Sequence, residues 1–167
     1  GDVYKRQDMC DNVTSYVSSK TGMLDSGRRA IFIDGLTADG KLQTEIIYYR
    51  YSGLQNPMQL RSEKLLPLCT RPAGYYSEDM DGDGDVEIPS TSPMVGYENA
   101  VADEMLYMTT WSVYEDFYDL KTKYTGYYAI SDGYFVTFPK RWNSSVTVKK
   151  DSDTNELVFY KYTGDIN

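Results

Sequence analysis

The chain reads as an all-β protein of antiparallel strands, and three observations predict this. Short runs are rich in Ile, Val, Tyr, Phe and Thr, residues that fit a pleated and half-buried surface. Gly, Pro, Asn and Asp cluster between those runs, where tight turns need them. No stretch carries apolar residues at the three-and-four spacing of a convincing amphipathic helix. A weak repeat adds detail: Asp39-Gly40, Asp83-Gly84 and Asp132-Gly133 fall 44 and 49 residues apart. That period suits four-stranded propeller blades. Asp-Gly also marks hairpin turns wherever they occur, so the period alone leaves both readings open. Three blades could not close a ring of about 4–8, and would make a set of partial, open β-propeller-like blades.

The elements follow in order. Residues 1–7, Gly1-Asp2-Val3-Tyr4-Lys5-Arg6-Gln7, match the in-frame translation of a transposon end used in sequencing libraries. They are set aside as an adapter scar, and the chain is expected to be a metagenomic fragment. Residues 8–28 are polar, with Val13, Tyr16 and Val17 as anchors, and predict a weak strand or the remnant of an earlier unit. The β-propeller-like fragment is expected over residues 29–167.

Within it, Ala30-Ile31-Phe32-Ile33-Asp34 is a buried strand bounded by Gly35, and Thr37-Ala38-Asp39-Gly40 is a turn. The stretch from Gln43 to Tyr51 returns as a second strand, reversed at Ser52-Gly53. Residues 55–77 carry Pro57, Pro67 and Pro72 and predict a long irregular connection, with Leu65-Leu66 tucked under the sheet. Met105 to Tyr114 is the longest strand candidate, followed by an acidic turn over 115–120. Two hairpins close the chain: Lys121–Ile130 with Tyr134–Phe138, and Val146–Lys150 with Leu157–Lys161.

The net charge of −8 is unevenly placed. Between Arg71 and Lys121 there is no Lys or Arg but there are 12 acidic residues, leaving 13 acids against 17 bases elsewhere. Nucleic acid is therefore not an expected partner, because phosphate contacts need clustered cations. A cation is. Its natural seat is the stretch from Asp79 to Pro89, where Asp79, Asp81, Asp83, Asp85 and Glu87 recur at every second residue with Gly82 and Gly84 between them.

Calcium suits such a loop, since it accepts about six to eight oxygens in flexible geometry. Asp79, Asp81 and Asp83 would each give a side-chain oxygen and Gly84 would permit a sharp turn. Asp85 would offer its backbone carbonyl, and Glu87 would close the shell. Val86 and Ile88 would then face a core while Glu87 points the other way. The twelfth position, which an EF-hand fills with a bidentate Glu, is Ser90 here, and Pro89 argues against an exiting helix. The competing reading is a solvated Asp/Gly turn.

The D-x-D-x-D-G-x-x-[DE] spacing of this loop resembles the calcium loop of FG-GAP and VCBS repeats, the β-propeller blades also found in integrin α-chains. With Thr109-Thr110-Trp111-Ser112-Val113-Tyr114 and Phe138-Pro139-Lys140-Arg141-Trp142, residues 29 to 163 look like uncharacterised secreted or lipid-anchored Firmicutes proteins that carry the repeat. The resemblance favours the partial, open β-propeller-like blades over plain hairpins, and implies an extracellular or cell-surface location with membrane contact only through a lipid anchor outside this stretch.

Catalysis is tested by absence. With no histidine, Ser-His-Asp and Cys-His arrangements and His-based zinc sites are excluded. A carboxylate pair for glycoside hydrolysis leaves no local signature, and Glu98, Asp103, Glu104, Glu115 and Asp116 are its candidates, though solvated loop charges are the commoner role. Tyr48, Tyr49, Tyr75, Tyr76, Trp111, Tyr127, Tyr128 and Trp142 fit either sheet packing or stacking on sugar rings. Cys10 and Cys69 fit a disulfide or two buried thiols, and the absence of a disulfide framework favours thiols. Asn12 and Asn143 head glycosylation-type triplets. The expected function is a non-catalytic, calcium-binding surface module for binding or scaffolding a protein or glycan. The alternative is a glycan-binding module or part of a carbohydrate-processing enzyme.

Overall fold

The computed structural model describes residues 9–115 and 119–164. The adapter-like residues 1–7 and the candidate acid Asp116 lie outside the described residues. Strands dominate, as expected. They are β1 (Val13–Met23), β2 (Arg29–Thr37), β3 (Lys41–Arg50), β4 (Gly53–Gln55), β5 (Arg71–Pro72), β6 (Ile88–Pro93), β7 (Tyr107–Glu115), β8 (Asp119–Ala129), β9 (Tyr134–Thr137), β10 (Val146–Lys150) and β11 (Leu157–Lys161). Antiparallel pairing joins β1 to β2, β2 to β3, β3 to β4 and β5, β8 to β9, and β10 to β11.

The chain divides into two compact units, Gly1–Ser90 with Trp111–Lys123, and Thr91–Thr110 with Tyr124–Asn167. The first is built on a five-stranded sheet in the order β1-β2-β3-β4, with β5 also on β3. Strand β3 is buried along both faces from Leu42 to Tyr48, so it is the centre of this unit. Phe32, Ile46, Tyr48, Met58, Leu65, Val86, Ile88 and Tyr114 make its core. In the second unit Met94, Tyr97, Phe138 and Val148 form a smaller core, where Phe138 meets Phe159 edge-on at 5.6 Å. The chain also forms a four-stranded sheet in the order β6-β7-β8-β9 and a two-stranded hairpin, β10-β11.

Three local expectations change. The weak strand at residues 8–28 is an eleven-residue strand paired with β2 along its length, with Val13 buried. Its polar face misled, because most of its outward side chains meet solvent. The connection over 55–77 contains two helices, α1 (Pro57–Leu60) and α2 (Ser62–Cys69). Asn56 caps α1 by accepting from the Gln59 N–H at 3.4 Å, with Pro57 at the first helical position, where its missing N–H costs nothing. Leu65 is buried as expected. The Asp-Gly period does not mark like blades: Asp39-Gly40 turns β2 into β3 and Asp132-Gly133 turns β8 into β9, whereas Asp83-Gly84 lies in a bridged loop before β6. Among the described residues no propeller ring closes.

Candidate metal centre

The acidic loop leaves and re-enters the first unit at one rung. Glu78 and Glu87 exchange backbone hydrogen bonds, N–H to carbonyl, at 3.1 and 2.8 Å. The strand β1 clamps the returning arm: Met23 donates to the Gly84 carbonyl at 2.8 Å and accepts from the Val86 N–H at 3.3 Å. Val86 and Ile88 enter the core on either side of Glu87, as strand alternation requires.

Between these fixed ends the loop is folded by its own carboxylates. Asp79 accepts from the N–H groups of Gly82 at 2.8 Å and Asp83 at 3.2 Å through one oxygen, and from Gly84 at 2.9 Å through the other. Asp83 accepts from the Asp85 N–H at 2.9 Å, and Glu87 from the Met80 N–H at 2.6 Å. Gly82 and Gly84 take φ of 75° and 94°, the left-handed region that a side chain disfavours. The alternation of Asp and Gly thus has a local cause: Asp gives the acceptor and Gly the reversal.

The result is one carboxylate oxygen from each of Asp79, Asp81, Asp83 and Glu87, all within 4.8 Å of one another. Glu87 is fully buried and the three aspartates are exposed. The site can hold a metal ion. Its donors are all hard oxygens, which suits calcium, magnesium or manganese rather than a metal that prefers nitrogen or sulfur. Of the five predicted residues, four converge through their side chains. The Asp85 carboxylate is not in the group. Burial raises the Asp85 carboxyl above its ordinary range, with the charge of Asp83 adding to it.

Sequence reasoning missed Lys123. Its ammonium, from β8, lies 2.9 Å from Asp81, 2.6 Å from Asp83 and 2.8 Å from Glu87. Burial works against the lysine charge, but hydrogen bonds to Asp83, Glu87 and Asp81 outweigh it, and its pKa lies above that of an ordinary lysine. For Glu87 the balance goes to burial, which raises its pKa against the pull of Lys123 and the Met80 N–H. The only hint in the sequence is that Lys121 and Lys123 end the base-free stretch.

A second missed group fastens the loop from below. Asp34 and Arg71, each 1% exposed, pair at 3.0 Å. Asp34 also accepts from Thr44 at 2.7 Å and from the Ser77 hydroxyl at 2.8 Å. Arg71 donates to the carbonyls of Tyr75 and Cys69, both at 2.8 Å. This network crosses β2, β3 and β5 and ends two residues before Asp79.

The aromatic candidates separate. Tyr48, Tyr75 and Trp111 are buried, and Trp142 packs on Phe138 at 5.6 Å. Tyr49 and Tyr76 are exposed, and Tyr49 lines an open groove of about 560 Å³ with Ile31, Ile47, Leu54 and Gly84. Cys10 and Cys69 are free, buried thiols. Comparison with protein-family models, with curated proteins and with solved structures gives no match for this chain.

Proposed function

We propose that the chain is a non-catalytic calcium-binding β module, serving binding or scaffolding outside the cell or at its surface. The observation that carries this reading is the convergence of the four carboxylates on a loop pinned at both ends. Glu87 joins this group from the buried side, where Lys123 and the Met80 N–H meet its two oxygens. Calcium fits better than magnesium because the donors sit on a glycine-jointed loop, and magnesium demands a tighter octahedron and holds its waters. The likeness of the loop spacing to FG-GAP and VCBS repeats supports the location, where modules bind calcium with Kd of about 10⁻⁴–10⁻³ M.

Calorimetric titration with calcium, and with magnesium beside it, tests the reading. Saturating heat with calcium in the millimolar range or below, and little with magnesium, is expected. No calcium heat would return the loop to a solvated turn.

The groove beside Tyr49 favours a binding role over a purely mechanical one, and a glycan is the alternative ligand. Loss of glycan retention on Tyr49→Ala would support that alternative, and no retention by the native chain would remove it.

A further inference from the structure

The Lys123 ammonium sits among the carboxylates of the acidic loop. It touches three of the four carboxylates that would ligate an ion, at 2.6 to 2.9 Å. Calcium takes its oxygens at about 2.3–2.6 Å, so ion and ammonium would claim the same centre. Two cations cannot share it.

We infer that Lys123 is a built-in competitor for the metal: it holds the metal-free loop closed and must leave before a divalent ion binds. The inference rests on the calcium reading of the site and adds its regulation. The need for such a residue lies in Glu87. A fully buried carboxylate beside three aspartates is costly unless a positive charge answers it. Lys123 supplies that charge from a strand, not from the loop, so the site stays assembled without an ion. Strand alternation puts Lys121 and Lys123 on one face of β8, and Lys121 reaches Asp25 at 3.9 Å.

Charge gives the exchange its direction. Four carboxylates and one ammonium leave three negative charges in the cluster, and a calcium ion in place of the ammonium leaves two. The displaced ammonium is not discarded, because Lys123 would stay on β8 beside a loop that is still negative. Binding is therefore a swap in a formed loop rather than the ordering of a loose one. The intrinsic affinity is reduced by the fraction of molecules whose lysine is out. Calcium arrival is reported at the surface as a newly exposed cation on β8.

The experiment uses the full chain. Calcium affinity is measured by calorimetry for the wild type, Lys123→Met and Lys123→Gln. In parallel, the wild type is labelled with an amine-reactive ester in chelator and in calcium, and each lysine is read by mass spectrometry. Removing the competitor should tighten calcium binding about tenfold or more. Labelling of Lys123 should rise several-fold with calcium, while the exposed Lys41 is unchanged.

If the wild type binds calcium and both variants bind it equally or more weakly, the inference is overturned and the calcium reading stands. If neither wild type nor variants bind calcium, both fall, and Lys123 is a structural ion pair. Should the variants fail to fold, labelling decides alone: Lys123 equally protected in calcium and in chelator overturns the inference.

Discussion

The carboxylate of Asp34 accepts the backbone N–H of Ser77 at 2.7 Å in the buried interior of the first unit. Ser77 is followed by Glu78, whose backbone pairs with Glu87, and then by Asp79, the residue that folds the acidic loop. The loop is thus hung from a charge in the core rather than from the surface. Asp34 itself is held by Arg71, so a variant that removes the carboxylate leaves a buried guanidinium without its partner. Breaking such a pair costs about 3–5 kcal/mol. Asp34→Ala should lose that much in denaturant unfolding and should lose calcium affinity as well, though it lies outside the loop. Equal affinity in the folded variant would show that the anchor supports the fold alone.

Calcium should raise the melting temperature. With a Kd of about 0.1 mM and free calcium near 2 mM, binding to the folded state contributes roughly 1.8 kcal/mol, a shift of about 4–7 °C for a chain of this size. Asp83→Ala removes a ligand and should abolish the shift. Asp85→Asn should keep most of it, because the proposed donor there is the main chain. Asp79→Ala should abolish the shift too and also lower the melting temperature in chelator, since it releases the N–H groups of Gly82, Asp83 and Gly84. A wild-type curve that is the same in calcium and in chelator would contradict the calcium shift on which these variant responses rest.

How much of this was legible in the sequence differs by range. The loop was readable because its information is local: Asp79, Asp81 and Asp83 accept from N–H groups two to five places ahead of them. Both late hairpins were readable for the same reason, and the β10/β11 register runs from Val146–Lys161 to Lys150–Leu157 as the apolar runs suggest. Lys123 was not readable. It lies 36 residues from Glu87, and nothing local separates it from Lys121. Asp34 and Arg71, 37 residues apart, carry no sign that they share a buried site. Strand β1 was underestimated because its polar residues face solvent, while only its pairing to β2 reveals the strand. Helix α2 was hidden by Pro67, which sits inside it and reads as a breaker.

Gly22 explains how closely β1 approaches the loop. A methyl group placed there would collide with the Val86 side chain and come within 3.1 Å of the Gly84 carbonyl. That carbonyl is the acceptor for Met23. Gly22→Ala should push β1 and the returning arm apart, weakening calcium binding and lowering stability by about 1–3 kcal/mol, the usual cost of overpacking. Gly40→Ala makes a useful contrast: its φ of 78° strains any side chain, but nothing lies within 4 Å and the loop is not involved. It should lower stability and leave calcium affinity unchanged. Equal calcium affinity in Gly22→Ala would argue that the loop does not depend on β1.

The last prediction concerns the thiols. Cys69 is buried on α2 with its sulfur 3.7 Å from the Thr44 carbonyl and 3.5 Å from that of Leu66. Burial pushes its pKa up to about 11 from an ordinary 9.0. Cys10 is raised in the same direction by burial and then by Glu45, which already holds the Cys10 backbone N–H at 2.6 Å. Both residues should therefore be protonated thiols at neutral pH, and a thiol-disulfide reagent at pH 8 should react with neither until the chain is unfolded. The same shift sets a stability profile. A folded pKa above the unfolded one gives stability that is fully present below about pH 9 and is lost as pH rises through 11, on the order of 3 kcal/mol for Cys69. Many tyrosines and lysines titrate in that window, so the measurement is a difference. Unfolding of wild type and Cys69→Ala is followed from pH 8 to 11, and the variant, though less stable throughout, should lose stability less steeply. Parallel curves would mean that the Cys69 thiol is not shifted, and reaction of either thiol in the native chain at pH 8 would mean that its burial does not shield it.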